Sequence, residues 1–228
     1  MKALRCVLTV AIAGVVSVGS LRSGAQSTFV TERFPADGDP GVAAAAPSVA
    51  RAVAAVDPSA SPLGVAVAIA ADPAVVRGAA WVAKPPVAFS SGVATTALVG
   101  FPTSGPNFGM LSSGDVRSAF GTGQAGNVST NLGGSQVRGS SDFDVTILRI
   151  DVEVPSTANC LVGLDFRFMS EEFPEYVNSR FNDAFIAELD VSNWTTSGST
   201  IFAPRNFAFD PSGRVVSINS TGATAMSA

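Results

Sequence analysis

Residues 160–191 read CLVGLDFRFMSEEFPEYVNSRFNDAFIAELDV. In the first run Val162, Leu164, Phe166 and Phe168 share one face, and Asp165 and Arg167 lie on the other. In the last run Phe185, Ala187, Leu189 and Val191 point together, leaving Glu188 and Asp190 outward. A period of two with one buried and one wet face is the pattern of antiparallel sheets. Between the runs, Pro174 disfavours helical backbone at Phe173. The first strand is therefore expected to break at Met169, with a single turn starting at Pro174.

The same grammar extends on both sides. FDVTILRIDVEV (143–154) reads as a strand whose apolar phase shifts near Ile147 and Leu148, which predicts a bulge or burial on both faces. NFAFDPSGRVVSIN (206–219) predicts a hairpin, with Pro211 at the first corner and Gly213 at the exit. Upstream, PLGVAVAIAADPAVVRGAAWV (62–82) predicts a short helix ending near Asp72–Pro73, then an extended piece to Val82. Residues 100–144 are too polar and glycine-rich for regular structure over most of their length, and so long a loop is usually functional or disordered. The expectation is a mainly β domain over 61–228, an antiparallel β-sandwich of jelly-roll-like form with a short N-terminal helix.

The N-terminus reads as an export signal. Lys2 and Arg5 precede the apolar run CVLTVAIAGVVSVG, and Ser23–Ala25 offer small residues for cleavage. The run is short of the roughly 20 apolar residues that cross a bilayer, although an uncleaved anchor is the alternative. No later stretch is long and apolar enough to span a membrane. Residues 26–60 are an Ala/Pro-rich leader or linker, with a weak helix expected over Val42–Val56. The mature chain is expected to be secreted or displayed at the cell surface.

Removing residues 1–25 takes three of the fourteen basic groups and no acid, leaving eleven against eighteen and a formal charge of −7. Such a chain is a poor partner for nucleic acid, whose affinity comes from neutralised phosphates. Cations, glycans or a surface protein fit better. With no histidine in the sequence, Ser-His-Asp and Cys-His catalysis and histidine-ligated metals are excluded. Cys6 lies in the signal, so Cys160 is left without a disulfide partner and reads as a buried thiol.

The acids concentrate in the turn: Glu171, Glu172, Glu175, Asn182 and Asp183. Two carboxylates about 5 Å apart repel by about 3 kcal/mol at an effective dielectric near 20. Solvation, a proton or a shared cation relieves that. Calcium takes six to eight oxygens of these kinds, so these five residues are candidate ligands. Glutamates facing water in an ordinary turn are the plainer reading. A third is a glycosidase using Glu171, Glu172, Glu175 or Asp183 as its two carboxylates. Trp81 and Trp194 have the chemistry to stack on sugars, though tryptophan more often belongs to a core. Asn127, Asn193 and Asn219 stand in glycosylation sequons.

FMSEEFPEYVNSRFNDAF, Phe168–Phe185, resembles the hallmark of the choice-of-anchor L domain, with Phe173 where the family usually has tyrosine. GMLSSGDV (109–116) is similar to that family's Leu-Ser-Thr-Gly-Asp segment, with Ser113 for threonine, and the 62–82 stretch resembles its opening. The resemblance runs from Ser61 to the end. It implies a β-rich, non-catalytic domain of bacterial or archaeal exported proteins that end in varied surface anchors. It implies too that the acids belong to the fold, braced by a cation, with Asp115 as a further ligand; Asp142 and Asp144 are weaker candidates. Family members continue past the VVSIN strand, so the domain is expected to be incomplete at its C-terminus. The function expected is a structural or binding module, calcium-stabilised and engaged in adhesion or in glycan or protein binding.

Overall fold

The computed structural model describes residues 4–13, 15–21, 30–31, 55–120, 132–139, 142–154, 164–170, 172–222, 224 and 226, the first three segments as backbone strands. Three strands come first: β1 (Leu4–Ala13), β2 (Val15–Leu21) and β3 (Val30–Thr31). After β4 (Val56–Asp57) comes helix α1 (Pro62–Ile69). At its start the Ser61 Oγ accepts the Gly64 N–H at 3.1 Å and Pro62 occupies the first turn. Then follow β5 (Val76–Ala83), β6 (Ser91–Ala94), β7 (Phe108–Leu111), β8 (Thr146–Val154), β9 (Leu164–Met169) and β10 (Ala184–Leu189). The short strands β11 (Thr195–Ser197), β12 (Thr200–Phe202) and β13 (Val216–Ser217) complete the series.

The strands form three sheets: β13-β10-β1-β8-β5, β3-β9-β2-β7-β6-β4 and the β11-β12 ribbon. Every pairing is antiparallel except β3 with β9. The chain is thus mainly β with few helices, and the sheets do not close. Among the described residues no helix is long and apolar enough to cross a membrane.

The largest core cluster draws on both larger sheets and on α1. It joins Leu148, Ile150 and Val152 of β8 and Phe185 and Ala187 of β10 to Leu164, Phe166 and Phe168 of β9 and Leu111 of β7. The rings of Phe166 and Phe185 meet with centroids 4.4 Å apart. Residues of opposite phase feed two smaller clusters: Met110 and Met169 pack with Phe101 and Phe108, and Ile147 and Ile186 pack with Trp194. The phase shift expected in 143–154 is explained by this. Ile147 and Leu148 are both buried in different clusters, and β5 carries register breaks at Val76/Gly78 and Trp81/Ala83.

Several expectations change. Residues 4–13 and 15–21, which fall in the stretch read as an export signal, form interior strands: β1 is paired to β8 and β10, and β2 to β7 and β9. A run rich in Val, Leu and Ile suits a sheet as well as an export signal, and periodicity alone does not separate them. Strands β3 and β4 fall in the expected linker, while most of Val42–Val56 lies outside the described residues. The long loop holds β7 and a 3-10 turn at Val116–Phe120; all four β7 residues are buried, so no alternation marked it. Glu188 is buried and not outward, because the chain folds back over it and the Asn193 N–H donates to its carboxylate at 3.2 Å. Leu189 and Val191 are exposed instead.

Candidate functional site

Strand β9 stops at Met169, as Pro174 dictates, and residues 172–178 form consecutive turns rather than a helix. The Tyr176 N–H donates to the Glu172 carbonyl at 2.9 Å and the Ser179 N–H to the Tyr176 carbonyl at 2.9 Å. Phe173 is buried in the main cluster and pins the turn. The chain then runs back to β10, which sets Asp183 beside Glu172.

The two acids are tied through the backbone and one hydroxyl. The Asp183 N–H donates to Glu172 Oε2 at 3.4 Å, and the Ser170 hydroxyl donates to Asp183 Oδ2 at 2.8 Å. The Glu172 N–H donates to Ser170 Oγ at 3.1 Å. Burial, and then the neighbouring Asp183 charge, push the Glu172 carboxyl up to about 7 from an ordinary 4.5. The Asp183 residue keeps some exposed surface, but its carboxyl is enclosed by protein, and that burial raises its pKa against the lowering effect of Ser170. Both shifts favour the protonated carboxyl.

Beside the pair lies a cavity of about 180 Å³. Glu172, Asp183 and Trp194 line it together with Asp142, Phe143 and Phe181. Trp194 is 3% exposed, its indole Nε1–H has no hydrogen-bond acceptor among the described residues, and the Arg138 guanidinium sits 5.2 Å from its ring centroid. Phe143 and Phe181 are 62% and 44% exposed, giving an apolar rim. The arrangement combines two carboxyls of raised pKa with aromatic surface around one cavity.

The expected acidic group assembles only in part. Glu172, Asn182 and Asp183 line one cavity; Glu175 and Asp115 do not. The Asp115 carboxylate accepts from the Arg117 backbone N–H at 2.9 Å and from its guanidinium, which makes it a cap and an ion pair. The Asn182 amide is engaged too, donating to the Ser199 carbonyl at 2.6 Å and accepting from the Asn219 N–H at 2.9 Å. Asp142 and Asp144, the weaker ligand candidates, hold the glycine-rich loop: Asp142 accepts the Val137 N–H at 2.9 Å, and Asp144 accepts the Leu132 N–H at 3.1 Å. Asp142 is buried in doing so and forms part of the cavity wall, a role that its loop setting did not announce. Glu171, Asn127 and Cys160 lie outside the described residues. Trp81 is half-buried at the margin of the main cluster, under the Lys84 ammonium at 5.0 Å.

Among the described residues no three His, Cys, Asp or Glu side chains are grouped to hold a metal ion. Calcium would find two carboxylates here, Glu172 and Asp183, and would need four or more further oxygens. The described side chains alone fall short of that set. No protein-family model, curated protein or solved structure matches this chain.

Proposed function

We propose that this chain is a non-catalytic structural and binding module of an exported or surface-displayed protein, of the choice-of-anchor L kind, and that the cavity beside Glu172 and Asp183 takes a small hydroxyl-rich group such as one sugar unit of a glycan. The observation that carries the reading is one cavity lined by Trp194, by the acids Glu172 and Asp183 and by the exposed rings of Phe143 and Phe181. The two larger sheets, joined by one core, are inferred to stack as a jelly-roll-like sandwich that keeps this cavity rigid.

A glycan array with the full chain tests the reading, and a blank array would refute it. For any glycan retained, Phe181→Ala removes one exposed ring of the cavity rim and is expected to weaken binding by about 3–10-fold without lowering the unfolding temperature. A second reading, a glycosidase-type enzyme, draws on the elevated Glu172 pKa, which suits a general acid. It requires glycan hydrolysis that disappears in Glu172→Gln.

Calcium enters as a counter-ion that competes with the proton, completing its shell from backbone and water. Millimolar calcium is then expected to raise the unfolding temperature by about 2–4 °C at pH 8 and by less at pH 5, where the proton holds the site. A chelator should reverse the rise. Equal unfolding temperatures with calcium and with chelator at pH 8 would remove the ion from the account.

A further inference from the structure

Strands β1 and β2 are interior strands made from residues that read as an export signal. Taking 1–25 away, as the export reading requires, would strip β8 of its neighbour over Leu4–Ile12 and β10 over Leu8–Ala13, and would also remove the strand between β7 and β9. Adjacent strands lie about 4.8 Å apart, so β8 and β10 would face each other across about 9–10 Å. That gap is too wide for the two to bond and wide enough for one extended chain. Their inward backbone groups would be left without partners, each a cost comparable to a lost hydrogen bond.

The geometry points to a strand-accepting site: the processed domain binds an extended segment of a partner polypeptide between β8 and β10, antiparallel to both. This rests on the export reading. Register defines the segment. Positions Cys6, Leu8, Val10 and Ile12 lie opposite Val152, Ile150, Leu148 and Thr146 on β8, all buried. On β10, Val10 and Ile12 lie opposite the buried Ala187 and Phe185. The intervening positions Arg5, Val7 and Thr9 fall opposite Glu153, Asp151 and Arg149, where Arg77 already pairs with Glu153 and Arg149 with Asp151. The fitting partner is therefore a run of about ten residues, apolar at every second position and free of proline. A second copy processed in the same way has lost the same strand and is the poorer donor.

The test exports the full chain from a bacterial host and measures the mass of the product. The processed protein is then mixed with a probe peptide, residues 4–13 with Cys6→Ser and a lysine tail, and with the same probe carrying Leu8→Pro. The expected product begins after residue 25, and the probe binds one to one. At a hundredfold excess over its Kd the probe raises the unfolding temperature by about 5–10 °C, or folds a chain that is unfolded alone. The proline probe does neither. A product that keeps residues 4–21 overturns both the export reading and this site. A correctly processed product that is indifferent to the probe, whether monomer or dimer, overturns the site alone.

Discussion

Replacing Phe185 with alanine is expected to destabilise the domain by about 3–5 kcal/mol, measured by chemical or thermal unfolding. The ring is fully buried on β10, and its nearest aromatic partner, Phe166, belongs to β9 in the other sheet. Truncation opens a cavity at the place where the two sheets meet, and close-packed neighbours relax only partly into it. Against the 5–15 kcal/mol that holds a typical domain together, that is a large fraction. Phe185→Leu, which keeps most of the volume, should cost about 1.5 kcal/mol or less. Phe181→Ala, at the exposed rim of the cavity, should stay near 0.5 kcal/mol. A loss below 1 kcal/mol for Phe185→Ala would mean that the sheets do not share this core.

Stability in metal-free buffer is expected to fall as pH rises from about 4.5 to about 7. The folded Glu172 carboxyl binds its proton up to about 7, whereas in the unfolded chain it releases it near its ordinary 4.5. In that window the folded state holds more protons than the unfolded one, so each step up in pH favours unfolding. The contribution is fully present below 4.5 and gone above 7. Because Glu172 is partly open to solvent, the shift is discounted to about 1–2 kcal/mol across the window. Glu172→Gln cannot ionise and is expected to flatten the slope. A wild-type protein of constant stability between pH 5 and pH 7.5 would show that Glu172 does not hold its proton in the folded state.

Much of the fold was legible because strand alternation and turn chemistry are local. The buried phases of Leu164, Phe166 and Phe168 and the Asp210–Gly213 turn needed only neighbouring residues to be read. Reading failed where a hydrogen bond that residue type alone does not announce changed a residue's surroundings. Glu188 looked outward until Asn193 was laid across it, and Asp115 looked like a free ligand until Arg117 bonded it. The apolar run at residues 4–21 has no period that distinguishes a strand from an export signal, so its place inside two sheets was invisible.

From the residue order alone came the β character, the break at Met169, the acidic turn, and the exclusion of histidine chemistry. These follow from the two-residue repeat of an extended backbone, from the constraint that proline puts on its predecessor, and from composition. Which acids meet was decided only in three dimensions. Glu172 and Asp183 stand eleven residues apart in the chain, and it is the turn pinned by buried Phe173 and the return into β10 that close the distance between them.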